Sequence, residues 1–189
     1  TDITVNRTLS ATNASLTAGD AISDGTSGTV LISGTATLDA VGDITLDNAA
    51  NDFGVVVINQ AANATLTDAD DIELSNVDVT GTLAVTTLSQ GITVSGDVTA
   101  ASANLDAAAE ITVEASGSVS ATDAAFTAGA AITVDGTVSA TDASLDAATD
   151  ITVNGTLSAT NASLTAGDAI SDGTSGKVLI SGTATLDAV

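Results

Sequence analysis

The chain lacks most of the side chains that carry enzyme and metal chemistry. It has no cysteine, histidine, methionine, tryptophan, tyrosine or proline, and its only aromatic residues are Phe53 and Phe126. Without histidine or cysteine, the usual zinc, haem and thiol sites and a Ser-His-Asp triad are excluded. Two phenylalanines make no platform for stacking a sugar. We therefore predict that the chain is not an enzyme and holds no cofactor, calcium excepted.

Basic residues are few, and long hydrophobic runs are missing. Arg7 and Lys177 stand against 24 acidic residues, which gives a formal net charge of −22. Such a surface repels polyanions, so nucleic-acid binding is excluded. No apolar run approaches the roughly 18 residues that a membrane span needs, so we expect no membrane insertion.

What the chain does contain is a large share of aliphatic residues. Hydrophobic residues make up 44% of the sequence, and they are mainly Ile, Val, Leu and Ala. This content is enough to build a buried core and distinguishes the chain from a disordered acidic tail. Strong acidity without cysteine suits a secreted bacterial protein, so we predict an extracellular location on the bacterial cell surface.

The longest internal repeat joins the two ends of the chain. Residues 1–41 and 149–189 match at 39 of 41 positions with an offset of 148, and the two differences are Arg7/Gly155 and Thr29/Lys177. We interpret residues 1–189 as one continuous segment, in which residues 1–148 are one long unit and residues 149–189 begin the next. A tandem array of such units predicts a continuation close to GDITLDNAANDFG.

A shorter period lies inside the long unit. The tripeptide Ile-Thr-Val or a close relative begins at Ile3, Ile44, Ile72, Ile92, Ile111, Ile132 and Ile151. From Ile72 onward the motif recurs about every 20 residues, which is typical of one coil of a β-solenoid. The step from Ile44 to Ile72 is longer by almost half a period, so an enlarged coil with a protruding loop at residues 47–52 is predicted. The loop at residues 23–28, repeated at 171–176, is expected to widen another coil.

Residues 132–150 show the plan of one coil. Three short stretches alternate between apolar and polar residues, as in Ile132-Thr133-Val134, and corners fall near Gly136 and Asp142. Stacking buries the apolar rows, because each strand pairs with its equivalent roughly 4.8 Å above and below. We therefore predict an all-β fold: a right-handed parallel β-helix of roughly triangular section, with about 20 residues per coil and about nine coils. One corner column is expected to contain Leu105, Phe126, Leu145 and Leu164.

Stacking should also align the acidic residues in columns along the rod. One predicted column precedes the first isoleucine of each coil and contains Asp2, Asp43, Asp71, Glu110 and Asp150. A second contains Asn13, Asp123, Asp142 and Asn161, and a third position carries Asp106 and Asp146. Carboxylate oxygens are preferred ligands of Ca²⁺, so calcium bridging by Asp2, Asp43, Asp71, Glu110, Asp150, Asp123 and Asp142 is one interpretation. The other is that solvated acids keep the rod soluble.

Three further patterns suggest other functions. A row of outward threonines would suit an ice-binding solenoid, although Glu73 beside Thr45 breaks it; its members are Thr4, Thr93, Thr112, Thr133 and Thr152. Paired carboxylates would suit a polysaccharide-active β-helix enzyme. Glycosylation sequons begin at Asn6, Asn13, Asn63, Asn154 and Asn161. Threonine is also simply a good strand residue, and sequons arise by chance in a chain rich in Asn, Ser and Thr.

Residues 51–87, NDFGVVVINQAANATLTDADDIELSNVDVTGTLAVTT, carry a family signature. The pattern N-D-F-G-x-V, then T-L-x-D-A, then G-x-L-x-V-T resembles the repeat region of filamentous-haemagglutinin-like giant bacterial surface proteins. The resemblance implies a right-handed parallel β-helix, export to the cell surface, and a role as adhesin, stalk or fibre. We therefore expect a structural repeat segment that gives reach and rigidity and contacts neighbouring repeat units end to end. The alternative is a self-associating cell-surface sheath or matrix fibre; other fibres or a host surface are the remaining expected partners.

Overall fold

The computed structural model describes residues 1–189, and every regular element in it is a β-strand. The 22 strands are β1 (Ile3–Thr4), β2 (Thr8–Ala11), β3 (Ala14–Ala18), β4 (Ile22–Ser23), β5 (Thr29–Ala40), β6 (Ile44–Leu46), β7 (Asp52–Ala61), β8 (Ala64–Asp68), β9 (Ile72–Val79), β10 (Thr82–Thr87), β11 (Ile92–Thr99), β12 (Ser102–Ala107), β13 (Ile111–Val113), β14 (Ser118–Ser120), β15 (Asp123–Ala128), β16 (Ile132–Val134), β17 (Thr137–Ala147), β18 (Ile151–Val153), β19 (Thr156–Ala166), β20 (Ile170–Asp172), β21 (Lys177–Ile180) and β22 (Ala184–Ala188). With no helix, the structure has none that could span a bilayer.

The strands pair in parallel with the strands one turn before and one turn after them. One column of partners runs the full length of the chain and defines its turns: Ile3, Ile22, Ile44, Ala64, Leu83, Ala103, Ala124, Ala143, Ala162 and Ala184. These ten residues are separated by nine turns of about 20 residues. The predicted all-β parallel solenoid is therefore confirmed.

The core is a single cluster of 47 buried apolar residues that follows the axis of the rod. The alternation of apolar and polar residues within each strand directs one row inward, and stacking places similar side chains on one another. The predicted corner column is confirmed and is longer than expected; in order it contains Leu46, Leu66, Val85, Leu105, Phe126, Leu145, Leu164 and Leu186. Burial of each leucine in this column except the exposed Leu186 contributes about 1.5–3 kcal/mol to stability.

The interval from Ile44 to Ile72 differs from the prediction. Ile44 pairs with Ala64, so this turn has the ordinary length and the predicted enlarged coil is wrong. Ile72 instead heads a different column, in which Ile72, Ile92 and Ile111 stack. The Ile-Thr-Val motif is therefore shifted along the sequence, from the position of Ala64 to that of Ile72, relative to the turns of the backbone. The backbone pairing itself continues without interruption. Residues 47–52 form a turn that leads into β7; Asp47, Ala49, Ala50 and Asp52 are exposed, as predicted for a loop, whereas Asn51 is fully buried.

This shift places the two copies of the long repeat differently around the axis. Seven turns carry Ile3 to Ala143, and the sequence equivalent of Ile3, which is Ile151, follows part of a turn later. One long unit therefore advances seven turns and roughly two-fifths of another turn, if a turn holds about 20 residues. Equivalent side chains of the two copies face different directions.

The widened turns are confirmed. The turns from Ile22 to Ile44 and from Ala162 to Ala184 are the two longest of the nine, and each contains one of the two predicted loops.

Glycines stack closely at the corner that precedes β14, β17 and β19. A Cβ added to Gly155 would overlap the carbonyl oxygen of Gly136, and one added to Gly136 would overlap that of Gly117. Only a residue without a side chain lets the backbone of one turn approach the next so closely here.

Candidate functional site

The acids predicted to form one column divide between two corners. Asp2 and Asp43 precede Ile3 and Ile44, whose column continues through Ala124 and Ala143; these two alanines follow Asp123 and Asp142. Asp2 and Asp43 therefore belong with Asp123 and Asp142. The remaining acids precede stacked isoleucines of the other column, and they are Asp71, Glu110 and Asp150. The predicted five-membered column fails because of the shift between Ile44 and Ile72.

The second predicted column is partly confirmed. Asp123, Asp142 and Asn161 are partners in successive turns, whereas Asn13 lies at another corner, below Thr35. Asp106 and Asp146 share a column but are separated by Thr127. Asp123 and Asp142 are a like-charged pair in adjacent turns, and their repulsion costs about 1 kcal/mol or less in bulk water at the spacing of one turn.

Asparagine side chains relieve this repulsion at several corners. Nδ2 of Asn161 donates to Oδ1 of Asp142 over 2.7 Å, and Nδ2 of Asn63 donates to Asp43 over 2.8 Å. Nδ2 of Asn154 donates to Asp135 over 2.7 Å in the same way. In each pair the asparagine lies one turn above the aspartate, so an amide replaces what would be another carboxylate.

The same asparagines also bind the turn above. Oδ1 of Asn63 accepts the backbone N–H of Thr82 over 2.9 Å, and Oδ1 of Asn161 accepts that of Thr183 over 3.1 Å. Asn13 accepts the N–H of Thr35 over 2.8 Å. All three belong to sequons, and Nδ2 of Asn63 and Asn161, the atom that would carry a glycan, already donates a hydrogen bond to the turn below.

No group of three or more Asp or Glu side chains in the chain is arranged to hold a metal ion. The carboxylates of each column are spread along the axis, one for each turn at most. Calcium binding by Asp2, Asp43, Asp71, Glu110, Asp150, Asp123 or Asp142 stays a prediction. A protein-only site would need several more oxygens than one column brings to a single point, because Ca²⁺ takes six to eight ligands.

The threonine row is also divided. Thr93, Thr112, Thr133 and Thr152 are partners in successive turns, and Ser171 continues them. Thr4 lies in the other column with Ser23 and Thr45, and Thr45 pairs with Thr65 and not with Glu73. Glu73 is instead the partner of Thr93 and ends the row. The uninterrupted threonine row is therefore one residue wide and four residues long.

A shallow groove of about 410 Å³ lies along β15, β17 and β19. One side is formed by the Asp123–Asp142–Asn161 column, and the floor is formed by small outward residues such as Ala125, Ser144 and Ser163. The groups that line the groove are carboxylates, one amide, hydroxyls and methyl groups.

The most organised polar site lies where the first copy of the long repeat meets the turn above it. Asp24 is 1% exposed, and its Oδ2 accepts the N–H of Asn48 over 2.9 Å and Nδ2 of Asn51 over 2.8 Å. Asn48 also donates Nδ2 to the carbonyl oxygen of Gly28, and Oδ1 of Asn51 accepts the N–H of Val30 over 2.8 Å. We call Asp24, Asn48 and Asn51 the polar cluster. It joins two successive turns through four hydrogen bonds that are specific to these side chains.

Asp68 continues this polar region one turn further. It is fully buried, and its carboxylate accepts the N–H groups of Phe53 over 2.6 Å and Asp70 over 2.9 Å. Burial raises the pKa of Asp68 to about 7; the two N–H donors lower it less than burial raises it, and the charges of Asp70 and Asp52 raise it further. The carboxyl group is therefore half-protonated near neutral pH.

Sequence patterns did not identify the polar cluster or Asp68. Residues 47–52 contain two asparagines and two aspartates, which is typical of an exposed loop. A signal did exist: Asn51 follows the buried Val30 by close to one turn, and so occupies an inward position. Aligning residues by turn, and not by motif, would have revealed it.

The chain matches one family model twice. That family is described as repeats of unknown function (DUF5649), and the matches cover residues 1–59 and 61–118, which is more than half of the chain. No significant match was found among curated proteins or among solved structures.

Proposed function

Because the chain belongs to the family described as repeats of unknown function (DUF5649), we propose that it is a structural repeat that builds a rigid, acidic rod. The proposed role is mechanical and non-catalytic: the segment supplies length and stiffness to a longer fibre. Each turn adds about 4.8 Å, so nine turns correspond to about 43 Å of rod.

The observation that carries this proposal is the continuity of strand pairing between the two copies of the long repeat. At residues 148–149 one unit gives way to the next, and pairing continues on both sides of that point: Ile132 pairs with Ile151, and Ile151 pairs with Ile170. No linker or change of direction separates the copies. Repeats joined in this way behave as a single elastic body, because each turn contacts only its neighbours and its ladder is unbroken.

We propose that the fibre is extracellular and belongs to a giant adhesin or stalk of the filamentous-haemagglutinin-like kind on a bacterial surface. The net charge of −22 supports this, since it keeps neighbouring rods apart and the fibre extended in solution. The proposed contacts are end to end, between successive repeats of one fibre.

Electron microscopy of intact bacteria with gold-labelled antibody against the purified chain tests the proposal. We expect label along thin surface filaments, and filaments that shorten by about 35 Å for each long unit deleted. Label that appears only after the cells are permeabilised would contradict the extracellular location. Label on broad bundles would favour a sheath of laterally associated rods over a single stalk.

A further inference from the structure

The last turn of the chain has one face that pairs with nothing. Strands β20, β21 and β22 each pair with β18 or β19 on one side only. Large apolar side chains are exposed there: Val178 is 39% exposed, Leu179 54% and Leu186 57%. We call this surface, formed by residues 168–189, the terminal face.

The same sequence occurs once more in the chain, and there it is covered. Residues 20–41 correspond to residues 168–189 with a single difference, Thr29 in place of Lys177. The turn formed by residues 42–61 lies on them, and it accepts the N–H of Ile22 at the carbonyl oxygen of Asp43 over 3.0 Å and that of Asp24 at the oxygen of Thr45 over 3.1 Å. Val30 and Leu38, the equivalents of Val178 and Leu186, are each 1% exposed.

The polar cluster makes this contact selective for one sequence. Asp24, the carbonyl oxygen of Gly28 and the N–H of Val30 are the three groups that receive Asn48 and Asn51. Their equivalents in the second copy are Asp172, Gly176 and Val178, so all three groups are present on the terminal face. A turn without the two asparagines would leave Asp172 with a single backbone N–H donor and would leave the N–H of Val178 without its acceptor, and unpaired buried polar groups are costly.

Backbone shape adds a second requirement. Residue 54 is glycine, and a Cβ there would lie 2.8 Å from the carbonyl oxygen of Ser33 and 2.9 Å from that of Gly34. The corresponding residues of the terminal face are Ser181 and Gly182. A turn that covers this face therefore needs glycine at the same point, six residues after the first asparagine.

We propose that the terminal face is a docking site for a turn with the sequence of residues 42–61, GDITLDNAANDFGVVVINQA, carried by another repeat of this kind. Backbone pairing and the apolar side chains provide the contact area. The two asparagines and the glycine provide the selectivity. This inference rests on the proposed function as a stacked rod and specifies which turn follows which.

The test is a full chain lengthened after Val189 by a second copy of residues 42–61. Amide hydrogen exchange is measured at Ile170, Asp172 and Val178, whose equivalents Ile22, Asp24 and Val30 donate to the covering turn. We expect exchange at all three to slow by about tenfold or more relative to the chain without the extension. Unchanged exchange with the intact extension overturns the docking site.

Two matched controls separate sequence-selective docking from general coverage. An extension that carries N48A and N51A should give clearly less protection than the intact one, above all at Val178, whose N–H loses its side-chain acceptor. Asp172→Ala should also reduce protection of the lengthened chain while leaving the original chain unaffected. Equal protection by the substituted extension would overturn the proposed selectivity. Neither result bears on the location of the fibre, which the labelling of intact bacteria tests separately.

Discussion

The two copies of the long repeat have nearly the same sequence and very different environments. Leu38 is 1% exposed in the first copy, whereas its equivalent Leu186 is 57% exposed in the second. In the opposite direction, Leu9 and Leu16 are partly exposed, whereas Leu157 and Leu164 are buried. The difference arises because the first copy is covered from above by residues 42–61 and the second is covered from below by residues 130–148. In a solenoid the neighbouring turn, and not the residue itself, determines burial.

The loop at residues 23–28 and its counterpart at residues 171–176 differ in conformation. In the first copy Gly28 donates its N–H to the carbonyl oxygen of Asp24, and Gly25 has a positive φ of 59°. In the second copy Gly176 donates to the carbonyl oxygen of Gly173 instead. The covered loop is therefore a wider turn that aims Asp24 at Asn48 and Asn51, while the uncovered loop is a tighter one. Coverage by the next turn and the conformation of the loop go together.

The largest expected difference in stability comes from truncating the same leucine in each copy, Leu38 or Leu186. Leu38→Ala should lower the free energy of unfolding by about 2–5 kcal/mol, because the side chain is fully buried between turns. Leu186→Ala should cost less than about 1 kcal/mol, since its side chain is largely exposed. Urea unfolding of the two variants is the measurement. Equal losses would show that the last turn is packed as tightly as the first copy.

The two copies differ at the equivalent positions Arg7 and Gly155, and this difference offers a second contrast. Gly155→Arg should destabilise the chain by about 1–3 kcal/mol, because any Cβ there meets the carbonyl oxygen of Gly136 in the turn below. The reverse change, Arg7→Gly, is the matched control and should be nearly neutral, since no turn of the structure lies below Arg7. Thermal unfolding compares the pair. A neutral Gly155→Arg would mean that this corner is looser than the stacked glycines indicate.

Between the two copies, Asp68 makes stability depend on pH. Its folded pKa of about 7 lies above the ordinary value of 3.8, so the folded state holds the proton more tightly. The stabilisation is fully present below about pH 4 and is lost as the pH rises through 7. Asp68→Asn should flatten the pH dependence of the unfolding midpoint between pH 4 and 7, at some cost in stability at every pH. A slope equal to that of the unsubstituted chain would place the titrating group elsewhere.

The smallest expected effect concerns the acids just below the second copy. Asp142→Asn should raise the free energy of unfolding by up to about 0.5 kcal/mol at low salt, because it removes the repulsion with Asp123 and keeps an acceptor for Asn161. Asn161→Asp is the opposite change and should lower it. Both differences should nearly vanish in about 1 M salt, where charges are screened beyond about 3 Å. Persistence at high salt would point to hydrogen bonding as the cause.

The fold within each turn could be predicted from sequence, because the alternation of apolar and polar residues is local. The stacking of Leu105, Phe126, Leu145 and Leu164 followed directly from the regular spacing of the motif. The register between Ile44 and Ile72 could not be predicted in the same way. Ile44 stacks on Ala64, and nothing in the motif marks an alanine as the partner of an isoleucine.

That one error also explains the failed parts of the site. Motif spacing groups Asp2, Asp43 and Thr4 with residues of a different corner, because it takes no account of the shift between Ile44 and Ile72. The composition of residues 47–52 is typical of an exposed loop and conceals the inward position of Asn51. Backbone pairing keeps the length of a turn nearly constant even where the motif shifts, since every buried backbone group must find a partner in the neighbouring turn.

The most direct test compares the chain of residues 1–189 with one lengthened after Val189 by a second copy of residues 42–189. Small-angle X-ray scattering measures both the maximum dimension and the cross-section. A continuous rod predicts that the maximum dimension grows by about 35 Å while the cross-sectional radius of gyration stays the same. A wider cross-section with little gain in length would contradict the stacked rod, because the added unit would then lie beside the first and not on its end.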